Sequence, residues 1–533
     1  MSNRTINTLS GSLAPVNAQL EKLQQNINDK LDRIPDSGQM NALEDTLDAN
    51  SNKIINLPKP VDSTEPARLK ELNETLASIY QIIEGTDIQN GSGTYNALAF
   101  DIPNDGTDIG DKLNTAIDFI SNAGGGTLFF PAGTYHITTA VACASRVNIA
   151  GDSNNSRFTI PDGFNDNIFE ASGIENVSIS NIYVDGNGAN QTAGSILSFP
   201  ASSHVTIKGN TLLNAYAGAI AFPDGGATVE KCLITENYVE GNLTSYAVVV
   251  DVARDVVISD NTVINPAQSG IQVFISENCT VTGNTIKHTG THGGGFGGIR
   301  LSATGGVVRN VSVTGNAIEG TSRGIFVGEN ISYSTLSGNT IRDIERDGII
   351  VESTSSYISI TGNTIQNVGS DSAGTYAGIS VGGASSCSIV GNVISDSTAS
   401  MAYAVNTGSA SFGNIVLGNI LDSGTLGDAL SSPRNEYANN YSSKQRDIIA
   451  TATSITVPMG GNIFTVTGAG TVENVNLGTE GREITLVFAS GGITVSDGVG
   501  NLNLAGDFTP NNQDTLTLKY LNSSWFEISR SSN

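Results

Sequence analysis

The sequence predicts a mainly β chain built around a right-handed parallel β-helix, with a helical stalk before it and an antiparallel β domain after it. Two observations carry the solenoid. Asn recurs at positions 181, 210, 237, 261, 284, 316, 339, 363, 392 and 419, so the gaps run from 23 to 32 residues, the period of a solenoid coil. Around each Asn the apolar pattern repeats. A strand-like stretch precedes it, as in Ile358-Ser359-Ile360-Thr361-Gly362-Asn363, and an apolar residue follows two positions later, as at Val263, Ile286, Ile318, Ile341 and Ile365. A further short strand opens at Gly270, Gly298, Gly324, Gly348 and Gly378, each followed by Ile-x-Val or Ile-x-Leu. One coil cannot bury its apolar face alone, whereas stacked coils share a continuous core. The composition agrees: 61 Gly and 6% aromatic residues suit turn-rich β structure better than helices.

The elements follow in chain order. In residues 1–86, apolar side chains at Leu9, Leu13, Val16, Leu20, Leu23 and Ile27 alternate steps of four and three. That is a coiled-coil seam, opened near Pro15 and closed by Pro35. A second seam runs through Leu69, Leu72, Leu76, Ile79 and Ile83. No globular core is apparent nearby, so an oligomeric stalk is expected rather than a surface helix. Residues 87–160 should lead into the solenoid, with a helix at about 110–122 capping its open end and hiding unpaired strand edges. Residues 161–446 form the β-helix proper. Residues 447–533 alternate apolar and polar positions, as in Ile484–Phe488 and Thr515–Tyr520, and are expected to be antiparallel strands.

Three stretches resemble parts of known proteins. Residues 47–72, with Asn-x-Ile-x-Asn-Leu-Pro-x-Pro followed by Glu-Pro-x-Arg-Leu, resemble a segment of bacteriophage tail fibres and tailspikes. Residues 95–151, through Asp105-Gly106-Thr107-Asp108, Gly124-Gly125-Gly126 and Phe130–Tyr135, are similar to the leading module of the pectate-lyase-like β-helix superfamily. The final stretch resembles a C-terminal β domain of phage tailspikes. The resemblance implies a homotrimeric virion protein in the phage tail, joined through its N-terminus to a tail, baseplate or adaptor protein. It also implies binding, and often cutting, of a bacterial surface polysaccharide, capsule or O-antigen. Depolymerisation by a glycoside hydrolase is expected ahead of a polysaccharide lyase. A receptor-binding spike without catalysis and a surface adhesin on a solenoid scaffold are the alternatives.

Charge and cysteines narrow the partners. A formal net charge of −25 repels nucleic acid and anionic membranes, so neither is expected as a partner. The first residues lack the apolar core of a secretory signal, so synthesis in the host cytoplasm is expected. Cys232, Cys279 and Cys387 each lie five residues before a repeat Asn, in a column otherwise holding Val256, Val311 and Ile358. That column points inward. Cys232 and Cys279 are two coils apart, roughly 10 Å at the strand spacing, too far for a disulfide. No cofactor is expected. His288 and His292 are two ligands at most, on a Gly-rich loop, and make no metal site.

The candidate site comes from columns that should face outward. One reads Ala221, Val249, Gln272, Arg300, Phe326, Ile350, Ser380, Asn406; the next reads Pro223, Asp251, Phe274, Ser302, Gly328, Glu352. Lys287, Glu319 and Arg342 alternate in sign over three coils, and Arg323 and Asp347 share another column, which reads as structural charge pairing. Glu352 and Glu329 have no such partner and lie on neighbouring coils. Paired carboxylates are the equipment of glycoside hydrolysis. They are the expected acid/base pair, with Asp251 a third candidate. Arg300 would hold a sugar hydroxyl or carboxylate, the outward Phe326, Ile350 and Phe274 would be covered by a loop or a neighbouring subunit or else Phe326 or Phe274 would stack on a ring, and Arg323 and Asp347 would complete the substrate site. Strict alternation points Glu329 inward, so convergence requires the chain to turn at Gly328. For a lyase, His288, Arg300 and Tyr376 are the loose candidates for the base.

Overall fold

The computed structural model describes residues 93–532 except 289–294, 409, 423–434, 439, 443–447 and 458–461. The expected stalk and the tail-fibre-like segment lie outside the described residues.

Among the described residues, three parallel sheets wind around one core. They hold 16, 14 and 11 strands, and each strand pairs with its equivalent one coil away. One coil shows the plan. Thr335–Ser337 lies in the first sheet, a bend at Gly338-Asn339 leads to Thr340–Ile344 in the second, and Ile349–Val351 lies in the third. The apolar residues following the bends, Val263, Ile286, Ile318, Ile341 and Ile365 among them, are buried in a continuous core. The solenoid starts earlier than its repeat: strands from Thr94–Asn96 onward already supply the sheets.

The helix Gly110–Asn122 covers the open end as expected, burying Leu113, Ala116, Ile117 and Ile120. Its first turn is capped from outside. The Asp108 carboxylate accepts from the Gly110 backbone N–H and from the Thr138 hydroxyl, and these bonds hold its pKa below the usual carboxylate range. Glycine is required just after the helix: a Cβ at Gly125, at φ +108°, would meet the Arg146 carbonyl at 2.5 Å.

The repeat Asn is the interior hydrogen-bonding element of each bend. The Nδ2 of Asn316 donates to Oδ1 of Asn339 at 3.0 Å and to the Val281 carbonyl at 3.0 Å. Its backbone N–H donates to the same Asn339 oxygen. The pattern repeats from Asn210 through Asn237, Asn261, Asn284, Asn316, Asn339, Asn363, Asn392 and Asn419 to Asn440. Asn181 is not part of it. Strand pairing aligns Ser180 with Lys208, so Asn181 falls opposite Gly209 and Ile182 opposite Asn210. Asn181 is exposed at φ 56°, in the left-handed column that Gly209, Gly283, Gly315 and Gly338 occupy elsewhere. Asn tolerates that conformation, so the sequence period slips there by one residue without a break in the fold.

Cys232, Cys279 and Cys387 are buried and free, with thiols pushed up to about 11 by burial. They fill the core as expected.

The described residues from 448 to 532 pack around their own core, which includes Trp525, whose indole N–H donates to the Val475 carbonyl. This part corrects the expectation of antiparallel strands. Ile448–Ala450, Ile463–Thr467 and Glu483–Phe488 pair in parallel, as do Ser454–Thr456 with Asn474–Asn476. Antiparallel pairing joins Glu483–Phe488, Thr515–Leu521 and Ser524–Ser531. Alternation with period two marks a half-buried strand of either polarity, so it could not separate the two.

Asn316→Ala should speed unfolding strongly. It removes the acceptor of two buried N–H groups of Asn284, and each buried group left unpaired costs about 1–3 kcal/mol. Asn181→Gly should stay within about 0.5 kcal/mol of the parent, as surface changes away from such networks do. Denaturant unfolding rates of the two variants decide the point; equal effects would place Asn181 back in the ladder.

Candidate functional site

The outer face of the third sheet carries the columns read from sequence. Ala221, Val249, Gln272, Arg300, Phe326 and Ile350 are successive register partners, and so are Asp251, Phe274 and Ser302. At the C-terminal ends of three strands of this sheet, a cleft of about 230 Å³ is lined by Arg300, Ser302, Phe326, Gly328, Glu329 and Glu352, together with Ala303, Thr304, Gly305 and Asn330.

Both glutamates therefore reach one space, and the backbone shows how. The strand Ile325–Val327 ends before Gly328, whose N–H donates to the Leu301 carbonyl at 3.0 Å. Alternation lapses there, and Glu329 emerges exposed rather than pointing inward. One coil on, the Glu352 N–H donates to the Val327 carbonyl, and the residue is half-buried. Gly328 packs closely at this point: a Cβ there would meet the Leu301 carbonyl at 3.2 Å and touch Oε2 of Glu352 at 4.0 Å.

The two carboxyl groups have different surroundings. Burial pushes the Glu352 pKa above its ordinary value; the Arg323 cation pulls it back, the Glu329 charge raises it, and Arg300 lowers it. Glu329 is exposed at the rim. A carboxyl whose pKa is raised in this way keeps its proton to a higher pH, as a general acid must.

Arg300 forms one wall. Its Nη1 lies 3.4 Å from the Tyr246 hydroxyl, and its guanidinium lies 5.3 Å from the Phe326 ring centre and 6.0 Å from that of Phe296. Its Nε is buried without a hydrogen-bond partner among the described residues. Tyr246, Phe296 and Asn330 were not singled out in the sequence. They lie in turns flanking the strands, where the column rule assigns no direction.

Several expectations are corrected. Phe326 is only 4% exposed, covered on its ring by Arg300 and by Arg323 at 4.9 Å, so it is no sugar platform. The column rule found its direction but not the arginines that fold over it. Arg323 and Asp347 do not line the cleft. They form a pair 3.9 Å apart behind Phe326, and Asp347 Oδ1 accepts from the Ala377 N–H at 3.0 Å. Phe274 is half-buried, one register step from Ser302, and does not line the cleft either. Asp251 stands about four coils from Glu352, roughly 19 Å at the strand spacing, too far to act on the same bond. Its carboxyl is pushed up by burial and by Asp224, and one oxygen is buried without a hydrogen-bond partner among the described residues. His288 and Tyr376 also stand outside the cleft; the Arg346 guanidinium lies 5.7 Å from the Tyr376 ring centre. His292 lies outside the described residues.

The charge ladder is present: Glu319 meets Lys287 at 3.4 Å and Arg342 at 2.8 Å. A second alternating column was missed, with Arg254 on Glu230 at 3.4 Å and Arg309 on Glu277 at 2.9 Å. Its residues precede the core cysteine column and could have been found from the same register. Among the described residues, no group of three or more His, Cys, Asp or Glu side chains could hold a metal ion, and no helix is long and apolar enough to cross a membrane.

Residues 246–421 match the family model of the right-handed beta helix region, and residues 148–302 match that of the periplasmic copper-binding protein NosD. The solenoid is thus a right-handed one. No curated protein matches the chain. Among solved structures, the A-module of the mannuronan C-5 epimerase AlgE6 of Azotobacter vinelandii is similar with a TM-score of 0.53 at 15% identity, covering 66% of this chain and 100% of that one. A tailspike protein mutant of E. coli bacteriophage HK620, in complex with a hexasaccharide, gives 0.45 at 15% identity over 73% of this chain and 77% of its own. The surface adhesin PfbA of Streptococcus pneumoniae gives 0.43 at 13% identity over 82% and 98%. At these identities the likeness is one of fold.

Arg323→Met should raise the Glu352 pKa further, because it removes the cation that most lowers it. Glu352 would then hold its proton to a higher pH. A carbon-13 carboxyl titration, with the Glu352 signal assigned by its loss in Glu352→Gln, reads this directly. A lowered pKa would show that Arg323 acts mainly by burying the carboxyl rather than by its charge.

Proposed function

We propose that this β-helix protein is a phage tailspike that binds a bacterial surface polysaccharide, capsule or O-antigen, and hydrolyses it at the cleft between Glu352 and Glu329. One observation carries the reading: two carboxyl groups from adjacent coils enter one cleft in unlike surroundings, one half-buried with a raised pKa and one exposed. Such a pair is what glycosidic cleavage needs.

In this mechanism Glu352 is the general acid. Its proton passes to the glycosidic oxygen as the bond from that oxygen to the anomeric carbon breaks. Glu329 is the base. It takes a proton from water, whose oxygen bonds to the anomeric carbon, so one sugar leaves with a new hydroxyl and the other with the proton from Glu352. Arg300 orients the substrate through a sugar hydroxyl or carboxylate, its own position fixed by Tyr246 and Phe326. In the same reading, residues 1–86 join the spike to a tail baseplate or adaptor protein, and three copies associate. The resemblance of residues 47–72 to tail-fibre segments supports that part.

Glu352→Gln should slow depolymerisation of host polysaccharide by about 10²–10⁴-fold, the usual contribution of a general acid, with little change in melting temperature. Glu319→Gln breaks only half-exposed pairs, so it should leave turnover unchanged and cost under about 1 kcal/mol of stability. In the parent, turnover should fall as pH rises through the Glu352 pKa, because the acid then loses its proton. Chain length by size-exclusion chromatography and the pH–rate profile check these outcomes. Binding without any shortening of the polymer would favour a non-catalytic receptor-binding spike, and near-normal turnover in Glu352→Gln would place the site elsewhere.

A further inference from the structure

Beyond the cleft, the same turns carry a pair of aromatic rings that the mechanism does not use. Tyr333 and Tyr357 follow Glu329 and Glu352 by four and five residues. They are 60% and 53% exposed, and their rings stack with centres 4.8 Å apart and planes 3° from parallel. The spacing equals one coil, so the rings lie as plates across the solenoid axis.

Their backbone is unusual. Both are left-handed, at φ 52° and 57°, in a column held elsewhere by Lys231, Asp255, Asn278, Asn310 and Ser386. Bulky residues rarely adopt this conformation, and such outliers concentrate at functional positions. The neighbours on either side differ. Toward Tyr333 the column continues with Asn310, hydrogen-bonded to Asn278 at 3.1 Å. Toward Tyr357 it continues with Ser386, too small to cover a ring, then Gly413. Phe412, 50% exposed, pairs with Ser385 and stands at the far side of this gap. One face of Tyr357 thus looks onto a notch floored by Ser385 and Ser386.

We infer that this notch is a second carbohydrate site, in which one pyranose ring lays its apolar C–H face on Tyr357 and turns its hydroxyls to Ser385 and Ser386. A flat apolar plate next to small hydroxyls fits a sugar, which has one apolar face and a polar edge. It fits a protein partner poorly. Stable protein interfaces bury about 800 Å² per partner around an apolar centre. Here the neighbouring outward positions of the first sheet are Thr335, Ser359 and Ser388, with Ile415, 40% exposed, as the one apolar residue next in register, and the preceding coils carry the Glu277–Arg309 pair. The inference does not depend on cleavage at the cleft.

The test uses the full chain labelled with 3-fluorotyrosine, with the Tyr333 and Tyr357 signals assigned among those of the 14 tyrosines through Tyr333→Phe and Tyr357→Phe. It is titrated with the methyl pyranosides of glucose, galactose and mannose. At least one should move the Tyr357 signal saturably. Tyr357→Ala should weaken binding of that sugar by about tenfold, the upper range for one aromatic contact, read by calorimetry. Ser386→Asn, which suits the left-handed backbone and covers the ring face, should abolish it with Tyr357 in place. Glu352→Gln should leave it unchanged, which separates this site from the cleft. The inference is overturned if none of the three sugars moves the signal. It is overturned equally if a soluble paramagnetic probe fails to reach either ring in the sugar-free protein, since the strip would then be covered by another copy of the chain.

Discussion

Along the coils from Asn210 to Asn440 the Oδ1 of one buried Asn accepts two hydrogen bonds from the Asn before it, one from its backbone N–H and one from its side-chain amide. This arrangement depends on sequence position to a single residue. An Asn shifted by one would leave its polar atoms buried and unpaired, at a cost of about 1–3 kcal/mol for each. The bend beside it must then be left-handed, which explains the Gly that precedes so many of these residues. With the bends in register, each strand is placed relative to its neighbours, and every outward column becomes a stack of side chains at a fixed spacing. The candidate cleft, the charge ladders and the tyrosine pair are all consequences of that stacking.

Outward columns can be used in two ways, and the difference lies in where the strand ends. Within a strand, neighbours on successive coils face one another, so charges must alternate or pay in repulsion. Glu319 between Lys287 and Arg342 obeys this. Past the strand end the chain is freer. Glu329 leaves the alternation because the strand stops at Val327, and Gly328 adds no side chain against the Leu301 carbonyl or Glu352. Two like charges can then share a cleft without sharing a column. The arginines behind them moderate the cost, since Arg323 and Arg300 both lower the Glu352 pKa that burial raises.

Much of this was legible in the sequence because a solenoid turns sequence distance into spatial distance. The period, the inward column of the cysteines, the capping helix and the Lys287–Glu319–Arg342 ladder all followed from counting residues. What counting missed has physical causes. Asn181 looked like a ladder residue because Asn suits a left-handed bend as well as a buried amide position. The parallel pairing of residues 448–495 was hidden because alternation reports burial and not polarity. Phe326 faced outward as read, but long arginine side chains cover it, and no column predicts where a flexible side chain folds. Tyr246 and Phe296 sit in turns flanking the strands, where the column rule assigns no direction; Tyr333 and Tyr357 keep their register, each six residues before a repeat Asn, and could have been found from that count.

Two of the chain's cations, Arg300 and Arg323, stand where the ladder rule does not require them. Its formal net charge is −25, and the arginines of the two ladders are matched one to one by glutamates, as in Arg254 with Glu230 and Arg309 with Glu277. Arg300 and Arg323 instead share a single phenylalanine, and their nearest carboxylates are Glu352, with its raised pKa, and the buried Asp347. Placing two guanidinium groups against one ring is costly in desolvation, and part of each is left without a hydrogen bond among the described residues. A purely structural column would not need it. The arrangement does fix Phe326 and holds positive charge beside a half-buried carboxyl. The solenoid supplies a rigid backbone, and the arginine pair sets the electrostatics of the one cleft in which both glutamates meet.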